Sequence, residues 1–160
     1  MEFIFSGMNL AILGAALAAG LAGIGSAKGI GIVGESAIGL LSEDPTKFGR
    51  ALLLQALPGT QGIYGLITAF LILSNSGIIA GNGSAITQAQ GAFYLMCSLP
   101  IAIVGLWSGI AQGRVAATGI NLIAKRPNEF IKAVISAALV ETYAIFALLI
   151  SLLPLFFVKF

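Results

Sequence analysis

The sequence contains no histidine and one cysteine, Cys97, and only 9% of its 160 residues carry a charge. Without histidine, the usual general base at neutral pH and the commonest transition-metal ligand are both missing. A lone cysteine excludes an intrachain disulfide and any paired-thiolate metal motif. Hydrophobic residues make up 58% of the chain and its mean hydropathy is +1.03, more apolar surface than a soluble core of this length can bury. The chain reads as an integral membrane protein. Its net charge of +2 offers no basic surface for nucleic acid, and none is expected as a partner. Met1-Glu2-Phe3 lacks the basic residues that open a signal peptide, and the small-residue run behind it is too long for one. The sequence is therefore expected to be the mature one.

Four apolar segments, 8–42, 48–80, 88–123 and 129–158, each exceed the roughly 20 residues that span a bilayer. They predict an all-α membrane protein with four transmembrane helices. Of the fourteen charges, eight sit in two clusters, at Glu43 to Arg50 and Lys125 to Lys132, while the central Gly81-Asn82-Gly83-Ser84 loop has none. Because basic residues stay on the cytoplasmic side, loops 42–50 and 124–132 are expected in the cytoplasm of a multi-pass cell-membrane protein. The termini and the central loop then face outward.

A shift of 82 positions superposes the two halves without a gap. It pairs Gly23 with Gly105, Ser26 with Ser108, Gly31 with Gly113, Pro45 with Pro127, Phe48 with Phe130, and Ala56-Leu57 with Ala138-Leu139. This implies two duplicated hairpins in parallel orientation, residues 1–80 and 81–160. The first segment carries eight glycines between Gly14 and Gly39, and small residues let transmembrane backbones approach closely. Packing inside one four-helix chain accounts for some of them; a tight inner ring of several copies fits their density better.

Four charges lie inside apolar segments: Lys28, Glu35, Arg114 and Glu141. Arg114 is level with Ile32 in the repeat register, so an ion pair with Glu35 is expected between the first and third helices. Glu141 stands alone in the last segment, and an intramembrane acid is a functional-site hypothesis by default. Gly29-Ile30-Gly31-Ile32-Val33-Gly34 matches a dinucleotide fingerprint in letters only, since it follows no strand and no acid stands about twenty residues on.

Polar residues gather at the depth of Glu141. Leu57, Thr60, Gln61 and Tyr64 share one face of the second helix by their i, i+3, i+4, i+7 spacing. Gln112 lies 13 residues before Lys125, Glu141 14 after Pro127 and Gln61 16 after Pro45, which places all three about 20 Å from the charged turns at 1.5 Å per residue. Pro58-Gly59 is expected to break the second helix by removing an N–H and crowding the Leu54 carbonyl. Read minimally, the glutamines and Tyr64 hold helices together around a protonated Glu141. Yet the oxygens of Thr60, Gln61, Gln112 and Glu141 are more than a neutral acid needs, and they suit a hard monovalent cation. Only the second hairpin has the acid, since the register sets Gly59 opposite Glu141.

The chain resembles the K subunit, a duplicated proteolipid, of V-type Na+-translocating ATPases and ATP synthases. The likeness runs end to end and is strongest at Leu57-Pro58-Gly59-Thr60-Gln61-Gly62-Ile63-Tyr64, Ser108-Gly109-Ile110-Ala111-Gln112-Gly113 and Val140-Glu141-Thr142-Tyr143. The resemblance implies that Na+ is bound by the backbone carbonyl of Leu57 and the side chains of Thr60, Gln61, Gln112 and Glu141, with Tyr64 hydrogen-bonded to the carboxylate. It further implies a non-catalytic subunit of a homo-oligomeric rotor ring embedded in membrane lipid. Such a ring turns against a static membrane subunit bearing an arginine, and a central-stalk subunit grips its cytoplasmic loops. ATP hydrolysis or synthesis belongs to partner subunits. The same rotor carrying H+ remains the nearest alternative. A channel would need polar residues at several depths, and an antiporter would be expected as a monomer or dimer.

Overall fold

The computed structural model describes residues 6–158 and residue 160, so the readings that rest on Met1-Glu2-Phe3 and on Lys159 fall outside the described residues. Its helices are α1 Gly7–Glu43, α2 Phe48–Ala56, α3 Thr60–Asn75, α4 Gln88–Lys125 and α5 Phe130–Phe157. Among the described residues there is no strand. With α2 and α3 forming one interrupted rod, four helical segments of 31 to 38 residues are long and apolar enough to cross a membrane, as the sequence predicts. At 1.5 Å per residue the longest reach about 55 Å, so they project beyond a hydrocarbon layer about 30 Å thick.

Each of the two longest helices starts where a side chain satisfies its free N–H groups. Ser6 accepts from the Asn9 N–H at the head of α1, and Thr87 and Gln90 form a reciprocal capping box at the head of α4. The charged turns begin with Pro45 and Pro127, whose missing N–H loses nothing in a first turn. Arg50 donates to the Pro127 carbonyl at 2.8 Å and Lys47 to the Ala124 carbonyl at 3.2 Å, binding the two turns together at one end of the molecule. The second rod stops at Asn75 instead of 80. Gly77 takes a left-handed φ of +72° there, so the chain turns and the apolar Ile78-Ile79-Ala80 lies in the connection.

α1 packs along α4, α3 rests on α1, and α5 rests on α4. The α1–α4 seam depends on glycine: a Cβ at Gly25 would lie 2.5 Å from the Gly105 carbonyl oxygen, and one at Gly29 would strike the Gly109 carbonyl and the Pro58 ring. Two apolar clusters fill the bundle. One gathers Ala18, Ile72, Ile101 and Leu155, the other Val33, Leu54, Ile120 and Ala137, and a polar layer separates them.

The expected Glu35–Arg114 ion pair is not made. Lys28, Glu35 and Arg114 line one open groove along the α1–α4 seam, but the ion pairs among the described residues are Asp44–Lys47 and Glu129–Lys132, both in the turns. Helix register sets depth, whereas pairing also needs side chains that point at one another.

Candidate ion-binding site

The polar layer is built around the break between α2 and α3. Pro58 has no N–H, so the backbone at Leu57–Gly59 tightens into a single 3-10 turn. Thr60 closes that turn by donating both its backbone N–H and, at 3.1 Å, its hydroxyl to the Leu57 carbonyl. On the α1 side, Ser26 Oγ accepts the Gly62 N–H at 2.8 Å and braces the start of α3. In the sequence Ser26 stands out only as a repeat marker. Its signal was its place level with the break, on the helix that packs against it.

From Thr60 a line of polar contacts crosses the bundle. Thr60 Oγ1 is 3.4 Å from Gln61 Oε1, and Gln61 Nε2 donates to Gln112 Oε1 at 2.6 Å. Gln112 Nε2 lies 3.4 Å from Glu141 Oε2, and the Tyr64 hydroxyl donates to Glu141 Oε1 at 2.6 Å. The structure thus gathers all six residues singled out in the sequence: Leu57, Thr60, Gln61, Tyr64, Gln112 and Glu141. Leu57 joins through the carbonyl that Thr60 engages, about one turn beyond the Leu54 carbonyl that Pro58 was expected to free.

Gln61 and Gln112 have no exposed surface, while Glu141 is half-buried beside the exposed Leu139 and Tyr143. Glu141 therefore lies on the border between the bundle interior and its apolar outer face. No cation of the described residues pairs with it, since their ion pairs all lie in the turns. A carboxylate left ionised there is costly, so a proton or a mobile cation must balance it. Among the described residues no three His, Cys, Asp or Glu side chains converge, which sets the site apart from multi-acid centres for divalent ions.

The profile of the ATP synthase C-subunit family matches residues 13–72 and again 95–153. The chain belongs to this family. Among its relatives, the K subunit of the V-type sodium ATPase of Enterococcus hirae is 53% identical over 92% of this chain and 90% of its own length. The K subunit of the A-type ATP synthase of Methanocaldococcus jannaschii is 42% identical over 91% of this chain and 61% of its own length. The c' subunit of the V-type proton ATPase of Candida glabrata is 31% identical over 94% of this chain and 85% of its own length. Identity thus falls from the sodium-named relative to the proton-named one. In this member of the C-subunit family the two matched stretches bring unequal parts to the polar layer. The first brings Thr60, Gln61 and Tyr64; the second brings Gln112 and the acid.

Proposed function

We propose that this chain is a rotor-ring subunit of a V-type ATPase or ATP synthase that binds Na+ at Glu141 and carries it across the membrane as the ring turns. The carrying observation is a single carboxylate with no cationic partner among the described residues, set among four other oxygen donors of the same layer. The donors are the Leu57 carbonyl, the Thr60 hydroxyl, the Gln61 and Gln112 amide oxygens and a Glu141 oxygen. Tyr64 holds the other carboxylate oxygen in place. When Na+ enters, the amides give up their mutual hydrogen bond and turn oxygen toward the ion. Neutralising Glu141 lowers the electrostatic cost of moving the site past lipid. The strong likeness to a protein named for a sodium ATPase supports Na+ as the cargo.

The chain itself carries out no hydrolysis; partner subunits couple rotation to ATP. Two hairpins, 1–80 and 81–160, with one acid between them give fewer ions per turn than one acid per hairpin. An arginine on a static membrane subunit would release the ion from Glu141 as each copy passes. The joined basic turns, 42–50 and 124–132, lie on the cytoplasmic side and offer a grip to a central-stalk subunit.

A proton-carrying ring is the second reading. It is favoured by the Tyr64 hydroxyl beside Glu141 Oε1, which can turn to accept the proton of a neutral acid while Gln112 Nε2 meets the other oxygen. Tracer 22Na+ binding to purified protein at fixed ionic strength separates the two. The Na+ reading expects saturable binding of one ion per chain, lost in Glu141→Gln; absence of saturable binding in the wild type leaves the proton reading.

A further inference from the structure

We propose that the cavity at the central-loop end of the bundle binds an uncharged sugar ring, as the headgroup of a membrane glycolipid or as a free sugar of the same kind. The cavity lies at the opposite end of the helices from the charged turns and shares no residue with the polar layer around Glu141.

It is enclosed by the end of α3, the loop that follows, the start of α4 and the end of α5, and its volume is about 670 Å³. That is the size of a small-molecule site. No described residue in the lining has a charged side chain, so the cavity offers no counter-ion to a phosphate or an amine. What it offers is hydrogen bonding of both senses. Asn75 Nδ2 is committed to the Leu155 carbonyl at 2.9 Å, which leaves Oδ1 to accept. Gln90 Oε1 is committed to the Thr87 N–H at 2.9 Å, which leaves Nε2 to donate. The Asn82 amide and the Tyr94 hydroxyl, both in the lining, have no hydrogen-bond partner among the described residues. Tyr94 is only 7% exposed, and a buried tyrosine hydroxyl ordinarily finds a partner. A ring of several hydroxyls, each able to donate and accept, can meet this mixed set; a carbonyl only accepts and an ammonium only donates.

Aromatic rings complete the lining. Phe93, Tyr94 and Phe160 meet edge to face, with centroids 5.0 to 6.5 Å apart, so they are not stacked on one another. The negative face of such a ring attracts the weakly positive C–H groups on the flat side of a sugar. The repeat shows that the framework does not need the polar atoms. The positions equivalent to Asn75, Gln90 and Tyr94 under the shift of 82 are Phe157, Met8 and Ile12, all apolar. Phe156, in the lining, and Phe157 beside it are exposed, as aromatic side chains are at a membrane–water boundary. A sugar carried on a lipid would reach the cavity there with its acyl chains still in the bilayer.

The test is native mass spectrometry of the full chain, purified in a polyoxyethylene detergent, whose headgroup is no sugar. Monoglucosyl-diacylglycerol, diacylglycerol with the same acyl chains, and phosphatidylglycerol are titrated in turn. The glucosyl lipid is expected to be retained at least about 10-fold more tightly than either of the others. Tyr94→Phe keeps the ring and removes the hydroxyl, and Asn82→Ala removes an amide that caps nothing in the fold. Each should weaken retention of the glucosyl lipid by about 2- to 12-fold, the worth of one neutral hydrogen bond, with the helical spectrum unchanged. Displacement by methyl glucoside would show that the sugar alone suffices. Failure to displace, with the lipid preference intact, would show that it must be lipid-borne. Equal retention of all three lipids, or tighter retention of phosphatidylglycerol, overturns the sugar site. A preference for the glucosyl lipid that survives both substitutions overturns its assignment to this cavity.

Discussion

Glu141 is the one intramembrane charge that the chain surrounds with polar side chains, and its neutralisation is the problem the polar layer addresses. Glu141→Gln keeps the shape and removes the charge, so 22Na+ binding is expected to vanish while the helical spectrum is unchanged. Tyr64→Phe deletes the 2.6 Å hydrogen bond to Oε1. A hydrogen bond to a charged group is worth roughly 1.5–3 kcal/mol, so Na+ affinity should fall about 10- to 150-fold in a titration. A different carboxyl governs the acid response of the turns. The Thr46 hydroxyl, and after it Lys47, hold the Asp44 carboxyl below its ordinary range. A pKa lower in the folded state contributes stability above the unfolded value and loses it as pH falls through the folded one. Acidification below the usual aspartate range should therefore lower the protection of the Thr46 amide against hydrogen exchange, measured relative to its intrinsic rate at each pH, and Asp44→Asn should flatten that dependence.

At the scale of elements, the break after Ala56 and the α1–α4 seam fix where the ligands stand. Ser26→Ala would leave the Gly62 N–H unpaired, at about 1–3 kcal/mol. Thermal unfolding in detergent should shift down accordingly, and Na+ affinity should weaken because Thr60 and Gln61 ride on the same turn. Much of this was legible in the sequence. Hydropathy and length gave the four spans, and the rise per residue set Gln61, Gln112 and Glu141 at one depth, where the structure links them by hydrogen bonds. What escaped depends on direction. Glu35 and Arg114 share a groove without pairing, and the second rod ends early because Gly77 turns left-handed inside an apolar run. Ser26 was hidden because its role exists only once α1 is packed against the break, a contact no local pattern encodes.

At the scale of the molecule, the two halves share a framework but have diverged in chemistry. The first hairpin has the broken helix and the second has the acid, so one polar layer forms where they meet. On α1, Gly14, Gly25 and Gly29 meet α4 of the second hairpin and Gly34 meets Gln55 of the first, while Gly20, Gly23, Gly31 and Gly39 face open space. The measurement that tests the central claim most directly is modification of Glu141 by a hydrophobic carbodiimide, which attacks a protonated carboxyl. It would be mapped by mass spectrometry across NaCl concentrations at fixed pH and ionic strength. Na+ acting at this carboxylate predicts labelling of Glu141 that Na+ suppresses and K+ does not. Labelling indifferent to Na+ would contradict the sodium site, and no labelling at any accessible pH would contradict an ion site at Glu141 altogether.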